Sequence, residues 1–373
     1  MNQTAIKIGL QQRVLAEYRI PFFEALGSHF DDGLSLFFGD ARPEEMVEQG
    51  KTPQHCNLVH AHNLDLFRGR FYTCWQIGIL QWLNHWNPDV LVLEANPRYI
   101  SQTSAVNWMH QRNKPVIGWG LGAPETRGLM NHLQKNLRNR FLSQFDAMIT
   151  YSQAGAASYR AAGIKAQRIF VAYNAVTPRP VTPMVKRPLD VNGKRLSVLF
   201  VGRLQARKRV NLLIQACGSM PEDLQPDLVV VGDGPEKENL ENLAREKYPH
   251  TQFAGSKFGQ ELTGLFKQAD LFVLPGTGGL AIQEAMSYGL PVIAAEADGT
   301  QADLVRPENG WRIIPGDQEH LNRSLLDALK DITRLRRYGQ ESYRIVSEEI
   351  NLEKMVEVFS QATQYVLEVR KQA

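Results

Sequence analysis

Residues 197–291 decide the fold, because three apolar strands there run straight into glycine-containing loops. They read Ser197-Val-Leu-Phe-Val-Gly-Arg-Leu204, Asp227-Leu-Val-Val-Val-Gly-Asp-Gly-Pro235 and Asp270-Leu-Phe-Val-Leu-Pro-Gly-Thr-Gly-Gly279. Short β-branched, apolar runs of this kind are typical of the central strands of a parallel sheet. Glycines where a strand passes into a helix let backbone N–H groups approach an anion at the helix N-terminus. Three such units in order predict a doubly wound sheet with a nucleotide at the carboxyl ends of its strands.

The composition favours a globular protein of two domains. The chain has 373 residues, of which 43% are hydrophobic and 22% are charged, and this length exceeds one ordinary core. The net charge of +3 is too small to indicate nucleic acid, so we expect no such partner. Cys56, Cys74 and Cys217 stand far apart, and the histidines lack the spacing of metal ligands. We therefore expect no metal site and a reducing, cytoplasmic setting.

The remaining chain alternates strand and helix patterns, which predicts a second parallel sheet. The sequence predicts an N-terminal Rossmann-like domain over residues 1–177, a proline-rich linker over 178–194 and a C-terminal Rossmann-like domain over 195–350. An amphipathic terminal helix is expected over 351–373. Within the first domain, residues 71–86 are expected to form one helix, with Trp75, Trp82 and Trp86 at helical spacing as part of the core or else as a platform for the acceptor. The N-terminus carries no signal-peptide pattern, and no apolar run is long enough for a membrane span.

The C-terminal motifs resemble those of the retaining glycosyltransferases of family 4. The family pattern is matched by Val201-Gly-Arg-Leu204 with Lys208, by Gly232-Asp-Gly-Pro235 and by Glu284-Ala-Met-Ser-Tyr-Gly-Leu-Pro-Val-Ile293. The resemblance is strong over residues 170–316. Earlier in the chain, Arg19-Ile-Pro-Phe-Phe23 matches a polysaccharide-type branch of the family.

The resemblance implies a GT-B fold, in which two Rossmann-like domains face a cleft and the last helix crosses back to the first domain. It implies transfer of a hexose such as glucose, with retention and without a metal, from a UDP-sugar to a saccharide or polyprenyl-linked acceptor. Exopolysaccharide or glycolipid synthesis would follow. No cofactor is expected beyond the donor substrate. The basic segment 127–140 either covers a core or makes peripheral contact with the inner membrane.

Transfer of a sugar from a nucleotide requires fixed positive groups at the departing diphosphate. Arg203 and Lys208 are therefore our candidate catalytic cations, and Glu284 is expected to hold the ribose, although it is also a favourable helix residue. Glycines and loop residues complete the expected donor site, with the 277–280 amides on the diphosphate and the backbone of 257–258 at the base. These residues are Gly202, Gly232, Gly234, Lys257, Phe258, Thr277, Gly278, Gly279 and Leu280.

Two positions depart from the family pattern. Gly276 stands where the family has the first of two paired glutamates, and Leu121 stands where the branch often has a histidine. Leucine can neither move protons nor form hydrogen bonds, so Glu125 or Glu94 is the expected acceptor-side base, or else a loop charge. Arg19 is expected to bind a phosphate of the donor or the acceptor. A binding protein without catalysis and a nucleotide-sugar epimerase remain the rival interpretations.

Overall fold

The computed structural model describes residues 6–31, 33–42, 45, 47, 50–123, 131–190 and 193–372. It divides into two compact units. Unit 1 holds the chain up to Val176 together with the residues from Leu352 onward, and unit 2 holds Thr177–Asn351.

Unit 1 is a parallel sheet with helices on its faces and one antiparallel hairpin. Its strands are β1 Ile8–Val14, β2 Leu34–Gly39, β3 Asn57–His60, β4 His62–Leu66, β5 Thr73–Ile77, β6 Val90–Glu94, β7 Val116–Gly120, β8 Ala147–Thr150 and β9 Ile169–Val171. Its helices are α1 Ile20–His29, α2 Ile79–Trp86, α3 Ser101–His110, α4 Asn131–Leu142, α5 Gln153–Ala161 and, from the end of the chain, α13 Leu352–Gln372. The seven parallel strands lie in the order β3-β2-β1-β6-β7-β8-β9.

Helix α13 completes the core of unit 1. Phe359 on α13 packs edge-on against Phe22 of α1 and Trp119 of β7, with ring centroids 4.9 and 5.0 Å apart. All three rings are at most 2% exposed. Toward the end of the helix, Arg370 donates to the Asp146 carboxylate at 2.9 Å. The last helix is therefore a structural part of the first half, as the family resemblance implied.

The predicted helix over residues 71–86 is wrong in its first half. Residues 73–77 form β5, which pairs antiparallel with β4, and helix α2 begins only at Ile79. Gly78 separates the two elements with φ 92°, a conformation that favours glycine. The spacing of the tryptophans satisfies a helix, but Trp75 is half exposed on the hairpin, whereas Trp82 is buried.

Unit 2 is a second parallel sheet with helices on its faces. Its strands are β10 Ser197–Val201, β11 Asp227–Val231, β12 Thr251–Gly255, β13 Leu271–Leu274, β14 Val292–Ala295 and β15 Gly310–Ile313. Its helices are α6 Val210–Gly218, α7 Lys237–Lys247, α8 Gly259–Gln268, α9 Leu280–Ser287, α10 Gln301–Leu304, α11 Gln318–Lys330 and α12 Ile332–Glu348. The strand order is β12-β11-β10-β13-β14-β15.

The predicted linker lies within unit 2, and Arg187 makes several of the hydrogen bonds that hold it there. Arg187 donates hydrogen bonds of 2.6–3.1 Å to the carbonyl oxygens of Ala269, Tyr288, Gly289 and Phe266. Burial lowers the pKa of this guanidinium to about 10. The carbonyl oxygens replace the water that the buried cation gives up.

In both sheets the order in which successive strands are added reverses beside the first strand. In unit 1 the reversal lies between β1 and β6, and in unit 2 it lies between β10 and β13. Ligands of doubly wound sheets bind outside the carboxyl ends of the strands at such switch points. The predicted architecture of two doubly wound α/β halves is confirmed, and each sheet has one such switch point. Within the described residues, no helix is both long and apolar enough to span a bilayer.

Candidate functional site

Backbone hydrogen bonds tie neighbouring loops together at the carboxyl edge of the unit 2 sheet. Each donor amide belongs to a residue that follows one strand. Each acceptor carbonyl lies at the end of the neighbouring strand or in the loop after it. They are Gly232 N to Gly255 O at 2.8 Å, Gly202 N to Val231 O at 3.0 Å, Leu204 N to Asp233 O at 2.8 Å and Thr277 N to Arg207 O at 3.1 Å. The loops that the sequence predicted to bind a nucleotide therefore form one connected surface.

Lys208 and the N-terminus of α9 form the positive centre of this surface. An ideal Cβ placed on Gly278 would lie 2.3 Å from Lys208 Nζ, so the ammonium group lies directly against the glycine. Within the part of the chain that the structure describes, Lys208 has no carboxylate partner, and the amides of Gly278, Gly279 and Leu280 have no acceptor. Burial and the nearby Arg207 charge lower the pKa of Lys208 to about 8. A half-buried cation beside bare amides is an anion site.

Gly276 allows the loop of Lys208 to approach this closely. A Cβ at position 276 would lie 2.2 Å from Arg207 O and 2.6 Å from Lys208 Cα. The side chain of Arg207 fastens the same two loops, since its Nη1 donates to Thr277 Oγ1 at 3.3 Å. A glutamate at 276 would therefore push the 207–208 backbone away. The departure from the family pattern has a packing reason in this chain.

Glu284 lies in the second turn of α9. Its carboxylate has no hydrogen-bond or ion-pair partner among the described residues, and burial raises the pKa of Glu284 above its usual value. A half-buried acceptor without a donor costs free energy in the unliganded protein. Ligand hydroxyl groups would supply the missing donors.

Sequence reasoning missed Gln301. This buried side chain accepts at 3.2 Å from the amides of Ala297 and Asp298, and it donates to Gly278 O at 3.2 Å. It thereby holds the loop after β14 against the glycine turn beside Lys208. A usable signal was present, because Asp298-Gly-Thr-Gln301 is a polar run that begins three residues after the apolar strand 292–295.

Arg203 presents an exposed side chain at this edge, whereas the glycines of the first two loops allow close backbone packing. Arg203 follows β10 and is exposed. Ideal Cβ atoms at Gly232 and Gly234 would lie 2.0 Å from Gly202 O and 2.3 Å from Leu204 O. These glycines therefore bring two loops into backbone contact. Asp233 is engaged within its own loop, where it accepts from Gly234 N at 2.7 Å and from Lys237 Nζ at 3.1 Å.

Lys257 and Phe258 lie after β12, at one side of the same edge. The Lys257 ammonium pairs with Glu261 at 2.7 Å, so its side chain is occupied. Phe258 precedes α8 and is 79% exposed. An exposed ring at the same sheet edge as the anion site suits a nucleobase, and these two residues stay a prediction.

In unit 1, Glu94 ends β6 at the switch point beside β1. Its Oε2 accepts from Arg13 N at 2.7 Å. Burial raises the pKa of the Glu94 carboxyl, although the Arg13 N–H and the charges of Arg19 and Arg13 oppose this shift. The Arg13 guanidinium pairs with Glu45 at 2.7 Å. A carboxylate with a raised pKa in such a crevice is a candidate for proton transfer or hydroxyl binding.

Three buried glutamines hold Glu94 in place. Gln11 Nε2 donates to Gln76 Oε1 at 2.5 Å, and Gln102 Nε2 donates to Gln11 Oε1 at 2.9 Å. Gln11 Oε1 also accepts from the Glu94 amide at 3.2 Å. The network connects β1, β5 and α3 to the end of β6. These hydrogen bonds fix the backbone at Glu94, from which the carboxylate projects.

Arg19 is enclosed by aromatic rings rather than paired with an acid. Its guanidinium carbon lies 4.7 Å from the centroid of the Trp119 ring and 5.0 Å from that of the Tyr151 ring. Nη2 donates to Tyr151 Oη at 2.9 Å. Burial lowers the pKa of Arg19, but Tyr151, Tyr18 and Glu94 outweigh it and raise the pKa above its ordinary value. Arg19 is thus a fixed cation near Glu94.

Part of the predicted acceptor side lies outside the described residues. Glu125 and the first residues of the basic segment 127–140 are not among the described residues, so the structure places neither. Leu121 follows β7 and is 55% exposed. Among the residues that the structure describes, no group of three or more histidine, cysteine, aspartate and glutamate side chains could hold a metal ion.

Residues 183–345 match the model of the family described as glycosyl transferases group 1. Curated relatives align over part of the chain. Sulfoquinovosyl transferase SQD2 of Arabidopsis thaliana is 37% identical over 142 residues, which are 36% of this chain and 26% of that protein. The GDP-mannose-dependent alpha-mannosyltransferase of Mycobacterium tuberculosis is 34% identical over 149 residues, which are 38% and 36% of the two chains. The match thus spans about a quarter to a third of these relatives.

Solved structures match over nearly the whole chain. The Anabaena protein HepE in complex with UDP has a TM-score of 0.68 at 17% identity, covering 99% of this chain and all of that one. The lipopolysaccharide outer core galactosyltransferase WaaB in its apo form has a TM-score of 0.68 at 19% identity, covering 96% and 99%. The chain therefore has the GT-B fold, and residues 183–345 match the group 1 glycosyl transferases.

Proposed function

We propose that this protein is a retaining glycosyltransferase that moves a hexose, in the first instance glucose, from a UDP-sugar to a saccharide or lipid-linked acceptor. The observation that carries the proposal is the Lys208 ammonium group against Gly278, next to the free amides at the start of α9. This anion site lies at the switch point of a doubly wound sheet. A nucleotide diphosphate fits that position and that charge.

In this proposal unit 2 stabilises the leaving group. The bond between the sugar C1 and the β-phosphate oxygen breaks, and its electron pair goes to the phosphate. A new bond forms between C1 and the acceptor hydroxyl oxygen. Lys208, Arg203 and the 278–280 amides would stabilise the charge that develops there. Glu284 would accept from the ribose hydroxyls. The proposal assigns the diphosphate charge to protein groups, so activity is expected to persist in the presence of a chelator.

Unit 1 would bind the acceptor. Glu94 can accept a hydrogen bond from the attacking hydroxyl, and the Arg19 cation next to it suits an acceptor phosphate. The proton lost by the acceptor hydroxyl goes to Glu94 or to the departing phosphate oxygen. Location in the cytoplasm, synthesis of exopolysaccharide or glycolipid and contact with the inner membrane belong to the same proposal.

The choice of UDP rests on similar folds. HepE has been solved with UDP and with UDP-glucose, which supports a uridine donor. The mannosyltransferase relatives are GDP-mannose-dependent, which supports a guanosine donor. We place UDP-glucose first. Thermal shift with UDP, GDP and their sugars tests this choice, and a larger shift with GDP would reject it.

The decisive assay measures the products of UDP-glucose turnover. We expect UDP release to increase when a panel of saccharide and polyprenyl-phosphate acceptors is added, and the glycosylated product to keep the anomeric configuration of the donor. Lys208→Met should abolish this increase. Epimerised donor formed without acceptor would instead support an epimerase. Donor binding without any turnover would support a binding protein, which Gly276 and Leu121 leave open.

A further inference from the structure

The β4–β5 hairpin carries apolar side chains on its outer face. Leu64 pairs with Trp75, and His62 pairs with Ile77, so these four side chains share one side of the ribbon. Leu64 is 40% exposed, and Trp75 and Ile77 are each 50% exposed. The alternate residues point inward, since Cys74 and Gln76 are buried. A ribbon that faced only water would be polar on its outer side.

The loop that joins the two strands adds two exposed phenylalanines. Its sequence is Phe67-Arg-Gly-Arg-Phe71, and Phe67 and Phe71 are 73% and 65% exposed. The turn itself does not favour this residue, because Phe67 has φ 61°, where a side chain with a Cβ costs about 1–2 kcal/mol. Neither the local backbone nor the core requires a large ring at this position.

The charge beside the apolar residues is positive. Arg68 in the loop is exposed, as is Arg98, whose carbonyl accepts from Cys74 N of β5 at 2.9 Å. Neither guanidinium has a carboxylate partner among the described residues. The one acid of the hairpin, Asp65, pairs with the buried Cys74 on the inner face and accepts from Tyr72 Oη at 2.7 Å.

We propose that this hairpin patch, defined as Leu64, Phe67, Phe71, Trp75 and Ile77 with Arg68 and Arg98, docks onto the surface of an anionic lipid bilayer. Aromatic rings are favoured at the boundary between headgroups and acyl chains. Arginines beside them attract anionic headgroups. The contact is peripheral and lies on a different element from the basic segment 127–140.

The test is sedimentation of the full-length protein with vesicles of phosphatidylcholine and phosphatidylglycerol, compared with phosphatidylcholine alone. We expect binding to the anionic vesicles that weakens as salt is added. The double variant Phe67→Ser, Phe71→Ser should bind at least about tenfold more weakly. Arg68→Glu with Arg98→Glu should weaken binding by about fivefold or more for each charge reversed.

Matched control variants make the same kinds of substitution at exposed positions outside the hairpin patch. Val181→Ser with Leu189→Ser removes exposed apolar side chains outside the patch, and Arg160→Glu reverses an exposed charge on α5. Both should bind vesicles like the wild type, and all variants should keep the thermal shift with UDP if they are folded. Equal binding by the patch variants and the controls would overturn the proposal. So would a wild type that stays unbound at low salt. A concentration-dependent oligomer without lipid that the double phenylalanine variant abolishes would assign the patch to a second copy of the chain.

Discussion

At the scale of single residues, Lys208 and Glu284 of the unit 2 site are both held in surroundings that disfavour their charged forms. Lys208 has a pKa lowered to about 8, and Glu284 has a raised pKa, in each case chiefly because of burial. Neither has a partner of opposite charge among the described residues. Perturbed, unpaired groups of this kind are concentrated at functional sites. A bound nucleotide diphosphate would supply what each group lacks.

Lys208 makes the affinity for UDP depend on pH above neutrality. A bound diphosphate favours the ammonium form and raises the pKa of Lys208, so binding takes up a proton wherever the free protein has lost it. Since the free pKa is about 8, affinity should be full near pH 7 and fall about tenfold by pH 9. Titration calorimetry from pH 6.5 to 9.5 measures this. Lys208→Arg should bind with a flat profile over that range, and a flat profile in the wild type would contradict the assignment.

Glu284 should distinguish the nucleoside from the phosphates. Glu284→Gln keeps the shape of the side chain but removes the charge, and hydrogen bonds to a charged group contribute about 1.5–3 kcal/mol. We expect UDP to bind about ten- to a hundredfold more weakly, with no change for inorganic pyrophosphate. Lys208→Met is the matched comparison and should weaken both ligands. A loss of pyrophosphate affinity in Glu284→Gln would remove the ribose assignment.

At the scale of elements, the site depends on how closely three loops approach one another. Thr277 N bonds to Arg207 O, and Gln301 bonds to Gly278 O. Gly276 leaves the space in which the first of these contacts forms. Backbone packing thus brings the Lys208 cation and the α9 amides together before a ligand binds.

Gly276→Ala should destabilise unit 2 through this packing. The new Cβ would lie 2.2 Å from a backbone oxygen, and overpacking of this kind costs about 1–3 kcal/mol. Gly279→Ala is the matched control, since its Cβ would meet no atom closer than 3.8 Å. Urea unfolding of both variants gives the comparison. Equal stability of the two would show that the loops can separate without cost.

The sequence predicted these elements unevenly, for identifiable reasons. Strands β10, β11 and β13 of unit 2 could be predicted because each is an apolar run that leads into a glycine-containing loop. The β4–β5 hairpin could not, because Trp75, Trp82 and Trp86 fit a helical period and the conformation of Gly78 is not encoded in that pattern. The role of Gly276 could not be predicted either. From the sequence alone, glycine at this position only indicates that the family's glutamate is missing, and the close backbone of Arg207 and Lys208 that requires glycine is visible only in the structure. Gln301 was visible only as one polar residue after a strand.

At the scale of the whole molecule, the two units depend on different parts of the chain. Unit 2 is formed by one continuous segment, Thr177–Asn351, whereas unit 1 needs residues from both sides of it. The buried face of α13 joins the core that contains Phe22 and Trp119. The predicted return of the last helix could be inferred from the family resemblance, whereas its aromatic contacts could not.

Phe359→Ala should therefore weaken unit 1 and leave the nucleotide site intact. Removing a fully buried ring costs about 3–5 kcal/mol. Chemical unfolding followed by tryptophan fluorescence should show an earlier transition, because Trp119 lies against Phe359. The UDP affinity of the folded variant should stay unchanged. Val369→Ala, at an exposed position of the same helix, is the control, and equal unfolding of the two variants would contradict this role for α13.

The position of α13 also sets the order in which the halves can mature during translation. A ribosome completes every segment of unit 2 before it makes residue 352, while the aromatic core of unit 1 still lacks Phe359. Domains fold as units once their parts are available. The half that is synthesised first is thus the half that finishes folding last, and until then its apolar surface is exposed to chaperones and proteases.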